Sequence, residues 1–134
     1  MKKIFFHGII AGLLATVAGI IYLNIYQNTL GADFHKVVNY KTISAGAVFG
    51  CLLIAMVFWI LEKINKPNLR GWLNVIICIV SFASIIIPIS TSLPLDIQGP
   101  ELFPGLVVPL HFFPALAYFA IAPFFGKEEM RRDE

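Results

Sequence analysis

The chain has 134 residues, of which 58% are hydrophobic and only 13% charged, with a formal net charge of +2 and a mean hydropathy of +0.81. A water-soluble domain of this size needs far more polar surface to cover its core, so that class is excluded. The positive residues are split into small clusters rather than gathered on one stripe, and no nucleic-acid partner is expected.

Four uninterrupted apolar runs account for the excess. They occupy residues 4–26, 43–61, 72–90 and 106–125, are 23, 19, 19 and 20 residues long, and contain no Asp, Glu, Lys or Arg. Each is long enough as a helix to cross a hydrocarbon core of roughly 30 Å, whereas an open sheet cannot sit in lipid. The expected fold is all-α: one four-span transmembrane domain over residues 1–134, an up-down bundle whose first partner is the lipid bilayer.

Span 1 follows Lys2 and Lys3, and "TVA" at 16–18 loosely fits a signal cleavage site. Its apolar stretch is too long for a cleavable leader, so it reads as an uncleaved anchor. It carries Gly8 and Gly12, and span 2 carries Gly46 and Gly50; small residues four apart let two helices approach closely in lipid. The expectation is that spans 1 and 2 form a close pair. The alternative is that one stripe is a homodimer face.

Between them, "QNTLGADFHKVVNYKT" is long enough for a short interfacial helix, with Phe34, Val37 and Val38 toward lipid and Asp33, His35, Lys36 and Lys41 toward water. The connection "EKINKPNLRG" is a tight polar hairpin, in which Pro67 stops span 2 from running into span 3. Trp59 and Trp72 flank it as interfacial aromatics. Span 3 has Asn74, Cys78 and Ser81 at helical spacing, a weakly polar stripe expected to face the bundle interior. The last connection, "TSLPLDIQGPELFP", holds three prolines with Asp96 and Glu101, and is expected to be rigid and packed over the outer mouth.

Lys and Arg in short loops stay on the cytoplasmic side. Lys2, Lys3, Lys63, Lys66, Arg70, Lys127, Arg131 and Arg132 fall on one face, eight against Lys36 and Lys41 on the other. Both termini are therefore expected inside, N-in and C-in.

Span 4 holds the residue most in need of a reason: His111, in "VPLHFFPALAYF", between Pro109 and Pro114. These prolines leave the carbonyls of Gly105 and Leu110 without their usual helical donors, unless Pro109 sits harmlessly in the first turn. One reading is a helix–helix hydrogen bond, in which the imidazole N–H serves nearby backbone. Another is a proton-linked or ligand pocket in the outer half, using His111 with Asn74 and Ser81. Metal binding by His35 and His111 with Asp33, Asp96 or Glu101 has only scattered residues behind it. One haem cannot bridge His7 and His111, whose levels differ by about 15 Å. Cys51 and Cys78 lie about 9 Å apart along the membrane normal, a poor disulfide geometry. No cofactor is expected.

Several four-span classes lack their required residues here. Thiol oxidases need paired cysteines, small multidrug exporters a glutamate in span 1, and glutathione-dependent membrane enzymes Arg and Glu within their spans. Dual-topology fluoride channels avoid a strong charge bias. The order of "LGADF" (30–34), "LEKINKP" (61–67), "IIPIS" (86–90) and the pair Leu110–His111 resembles a group of small uncharacterised four-span bacterial membrane proteins. That resemblance covers nearly the whole chain and implies the fold and an inner-membrane location, with no activity. The leading expectation is a structural or accessory subunit of a bacterial cytoplasmic membrane, as a homodimer or within a larger complex. The alternatives are a small transporter or lipophilic-ligand binder, and a membrane enzyme using outer-face acids and histidines.

Overall fold

A computed structural model describes residues 2–94, 97 and 99–126. Asp96 and the tail residues Lys127, Arg131 and Arg132 lie outside them. The helices are α1 (Lys2–Leu30), α2 (Tyr40–Lys63), α3 (Arg70–Ser84), α4 (Ile86–Ile89) and α5 (Phe103–Gly126), with single 3-10 turns at Pro67–Leu69 and Pro100–Leu102. Lys2–Leu30, Tyr40–Lys63, Arg70–Ile89 and Pro100–Phe125 are each long and apolar enough to cross a membrane. All four overlap the four apolar runs of the sequence.

Local chemistry sets the ends. α1 runs four residues past its apolar stretch, to about 43 Å in length. It stops where Gly31 takes a left-handed φ of 66°, and the Gly31 N–H donates to the Gln27 carbonyl at 2.9 Å, a C-terminal αL cap. α2 begins at a capping box. The Asn39 side chain accepts from the N–H groups of Lys41 and Thr42, both at 3.0 Å, and Thr42 Oγ1 accepts from the Asn39 N–H at 2.9 Å. These contacts satisfy helix-start donors that would otherwise be bare. The break between α3 and α4 lies at Ser84 and Ile85 because Pro88 has no N–H and its ring crowds the carbonyl four residues back, that of Ser84.

Contacts between helices give their directions. Gly8 lies against Ala55, Gly12 against Val48 and Gly19 against Ile43, so α1 and α2 are antiparallel. His7 meets Tyr118, and Tyr22 meets Gly105, so α1 and α5 are antiparallel too. α2 and α5 run parallel, Gly50 against Pro114 and Phe58 against Tyr118. Phe82 packs edge-on to Phe112 at 4.8 Å and ties α3 to α5. The chain thus goes up, down, up and down, with α1, α2 and α5 as a tight trio and α3 leaning on its edge.

Two buried clusters hold the trio together. One is built of small residues, Ala11 and Ala15 of α1 with Ala47, Cys51 and Ala55 of α2, closed by Tyr118 of α5. The other, at the end away from the chain termini, gathers Leu23, Phe34, Ile43, Ile97, Phe103 and Leu106. Phe34 corrects an expectation. The connection between α1 and α2 forms turns rather than an interfacial helix, and Phe34 is 0% exposed, its ring 5.6 Å from that of Phe103. An aromatic ring gains more from a close-packed socket than from one side of an interface. Ile97 is buried in the same cluster and Leu93 and Leu102 pack against it, so these residues of the connection before α5 lie over this end of the bundle.

Candidate functional site

The glycine stripes play unequal parts. Gly8 and Gly12 lie in the α1–α2 seam: a Cβ on Gly8 would sit 2.8 Å from Ala55 Cβ, and one on Gly12 would sit 2.9 Å from Val48 Cα. Gly19 extends the seam: a Cβ there would sit 2.8 Å from Ile43 Cγ2. The span 2 stripe does not face this seam. A Cβ on Gly50 would sit 3.1 Å from Pro114 of α5, and Gly46 faces open space. α1 is received instead by Val48, Cys51 and Ala55, one helical face round from the glycines.

Span 4 resolves its proline problem through tyrosines. Pro109 lies inside α5 and frees the Gly105 carbonyl. That carbonyl accepts the Tyr22 hydroxyl at 2.7 Å, and one turn along α1 the Tyr26 hydroxyl donates to the Leu102 carbonyl at 2.6 Å. A Cβ on Gly105 would collide with the Tyr26 hydroxyl. Glycine is needed there for close approach of a neighbouring side chain. His111 serves its own helix. Its Nδ1 donates to the Val107 carbonyl at 2.8 Å, and the ring is half-buried.

Among the described residues, Asn74, Ser81 and His111 make no hydrogen bond to one another. Ser81 is half-buried and its hydroxyl donates to the Ile77 carbonyl at 2.9 Å, within α3. Asn74 is exposed. Since Phe82 and Phe112 are level, Asn74 sits eight residues, about 12 Å, from the level of His111.

His7 has a place in the bundle that its sequence context does not signal. It is 7% exposed, stacks on Tyr118 at 4.0 Å and on Phe125 at 4.5 Å, and its Nε2 donates to the Tyr118 carbonyl at 2.9 Å. Tyr118 and Phe125 are seven residues apart, so one face of α5 holds both rings. This is a structural clasp between α1 and α5 near the chain termini. Nearby, Phe5 approaches Trp59 at 6.3 Å, and Lys63 Nζ lies 5.3 Å over the Trp59 ring, a cation–π contact.

Both cysteines are free. Cys51 is 0% exposed and its thiol donates to the Pro114 carbonyl at 3.4 Å, whereas Cys78 is exposed on α3. His35 is exposed, edge-on to Tyr40 at 5.6 Å, with its N–H bonded to Asp33 Oδ1 at 2.9 Å. Among the described residues no group of three or more His, Cys, Asp or Glu side chains is placed to hold a metal ion.

What distinguishes one surface is α3 itself. Ile77 is its only buried residue, while Trp72, Ile79, Phe82, Ile86 and Ile87 are at least 60% exposed. The exposed flank carries Gly71, Asn74 and Cys78 within two turns. α3 and α4 are thus the candidate interaction surface, a helix joined to the bundle along one narrow seam. The chain matches no family model, no curated protein and no solved structure.

Proposed function

We propose that the chain is an integral protein of the bacterial cytoplasmic membrane that acts as a small structural or interaction subunit, with both termini in the cytosol. The eight-to-two distribution of Lys and Arg supports that orientation. The resemblance to small four-span bacterial proteins supports the compartment. The observation that carries the functional reading is the open side of α3. Three helices pack on one another through glycines, alanines and tyrosines, and the fourth leaves most of its surface for other occupants of the membrane.

The other end argues the same way. Phe34 and Ile97 fill the mouth of the trio, and the tyrosines hold α1 against the start of α5. Purification from native membranes in mild detergent tests the proposal. A complex of fixed stoichiometry supports a subunit. A chain that migrates alone and carries a bound quinone or lipid replaces it with a ligand binder.

A further inference from the structure

We propose that the groove between α1 and α2, on the side away from α5, holds one anionic phospholipid, its phosphate headgroup between Lys2 and Lys63. This rests on the reading of the chain as a membrane protein. Phe5 of α1 meets Trp59 of α2 with ring centroids 6.3 Å apart, close to where α1 begins and α2 ends. Lys2 lies three residues before Phe5, and Lys63 four after Trp59. The helices are antiparallel, so both steps lead outward by one turn along the same face. The two lysines therefore stand at one level on neighbouring helices. Both are exposed. Lys63 Nζ lies 5.3 Å over the Trp59 ring, so its stem follows the groove while its charge meets the headgroup region. Glu62, the one acid at this end among the described residues, pairs with Arg70 at 3.0 Å.

The rest of the groove selects the occupant. Going inward, Ile9 continues the line of Lys2 and Phe5, and Met56 continues that of Lys63 and Trp59. These aliphatic side chains are 46% and 45% exposed. From the end inward, each wall thus runs from cationic to aromatic to aliphatic. A phospholipid has the matching order of phosphate, glycerol ester and acyl chain. A free phosphate or an acidic peptide uses the lysines and leaves the lower walls unmatched. Two cations at headgroup depth also favour a net negative headgroup over a zwitterionic one, whose own positive charge they repel. His7 and Phe58, which meet Tyr118 of α5, lie on other faces of α1 and α2. The groove is therefore separate from the seams of the trio.

Native mass spectrometry of the full chain in mild detergent tests this, with phosphatidylglycerol and phosphatidylcholine of the same acyl chains offered at equal concentration. The expected result is one retained phosphatidylglycerol per chain, favoured over phosphatidylcholine by about tenfold or more. Lys2→Gln and Lys63→Gln each lower that preference about fivefold, and together they abolish it. Arginine at both positions keeps it. Buried Cys51 stays protected from a thiol reagent in these variants, which shows that the bundle is folded. Lys66→Gln removes a cation from the turn beyond α2 and leaves the preference unchanged. Equal losses in Lys66→Gln and in the groove variants reduce the effect to net charge and overturn the site. Equal retention of the two lipids by the native chain, or displacement of the lipid by inorganic phosphate, overturns the anionic phospholipid as its occupant. Neither failure touches the subunit reading, which stands or falls on a complex of fixed stoichiometry.

Discussion

Gly105→Ala is the sharpest perturbation of the bundle, because local and tertiary effects oppose each other. In the helix alone, alanine is better than glycine by about 0.5–1 kcal/mol. In the folded protein the new methyl collides with the Tyr26 hydroxyl and sits 3.2 Å from Tyr26 Cζ. Tyr26 must swing away and lose its 2.6 Å bond to the Leu102 carbonyl, worth about 1 kcal/mol. The crowded seam adds about 1–3 kcal/mol of strain. The net expectation is a loss of about 1–3 kcal/mol, or roughly 4 °C in midpoint per kcal/mol on the scale of small domains.

Thermal unfolding in mild detergent reads this well. In a Cys78→Ser background, a thiol-reactive fluorophore reports only the exposure of buried Cys51. Tyr26→Phe alone should cost about 1 kcal/mol. Combined with Gly105→Ala it should be less harmful than the sum of the two, by about 1 kcal/mol or more, because the colliding oxygen is gone. Strict additivity, or a Gly105→Ala variant as stable as the native chain, refutes the tyrosine seam.

The two glycine stripes should separate in the same assay. Gly12→Ala pushes on the Val48 backbone and should cost about 1–3 kcal/mol, while Gly46→Ala, facing open space, should be neutral or raise stability by up to about 1 kcal/mol; equal effects contradict the observed seam. Phe34→Ala empties a fully buried socket and should cost about 3–5 kcal/mol. It should also speed limited proteolysis of the segment around Ile97, which packs in the same cluster; unchanged cleavage removes Phe34 as the plug.

The four long apolar helices were legible because each is a continuous apolar run, a signal that survives without knowledge of what packs on what. Their boundaries were less so. Hydropathy ends span 1 at Tyr26, but the backbone continues until Gly31 supplies a left-handed cap. The "DFHKVV" pattern suggested a surface helix, yet periodicity cannot tell a face that meets lipid from a ring that fills a socket, and Phe34 does the latter. Gly46 and Gly50 matched a packing motif by spacing. Spacing does not say toward which helix a stripe points, and Gly46 points at none.

The prolines pointed to a freed Gly105 carbonyl and to a backbone bond for His111; both are present, but the two are not partners. The hydroxyl came from Tyr22 on α1, and His111 bonded to Val107. Tyr22 and Tyr26, four apart near the end of an apolar helix, were the available clue. His7 offered none, because its stacking partners Tyr118 and Phe125 are more than a hundred residues away. The α3 flank could be named from Asn74, Cys78 and Ser81. Its exposure could not, since sequence alone gives no account of how loosely one span is attached.

The central claim is that lipid surrounds these helices and that the connection after α1 faces away from the cytosol. Single cysteines placed at His35 and at Lys66, both exposed, test it with a membrane-impermeant maleimide in a Cys78→Ser background. The account predicts labelling of His35→Cys in intact spheroplasts, and of Lys66→Cys only in inverted vesicles. The reverse pattern, or recovery of the chain from the aqueous fraction without detergent, contradicts it.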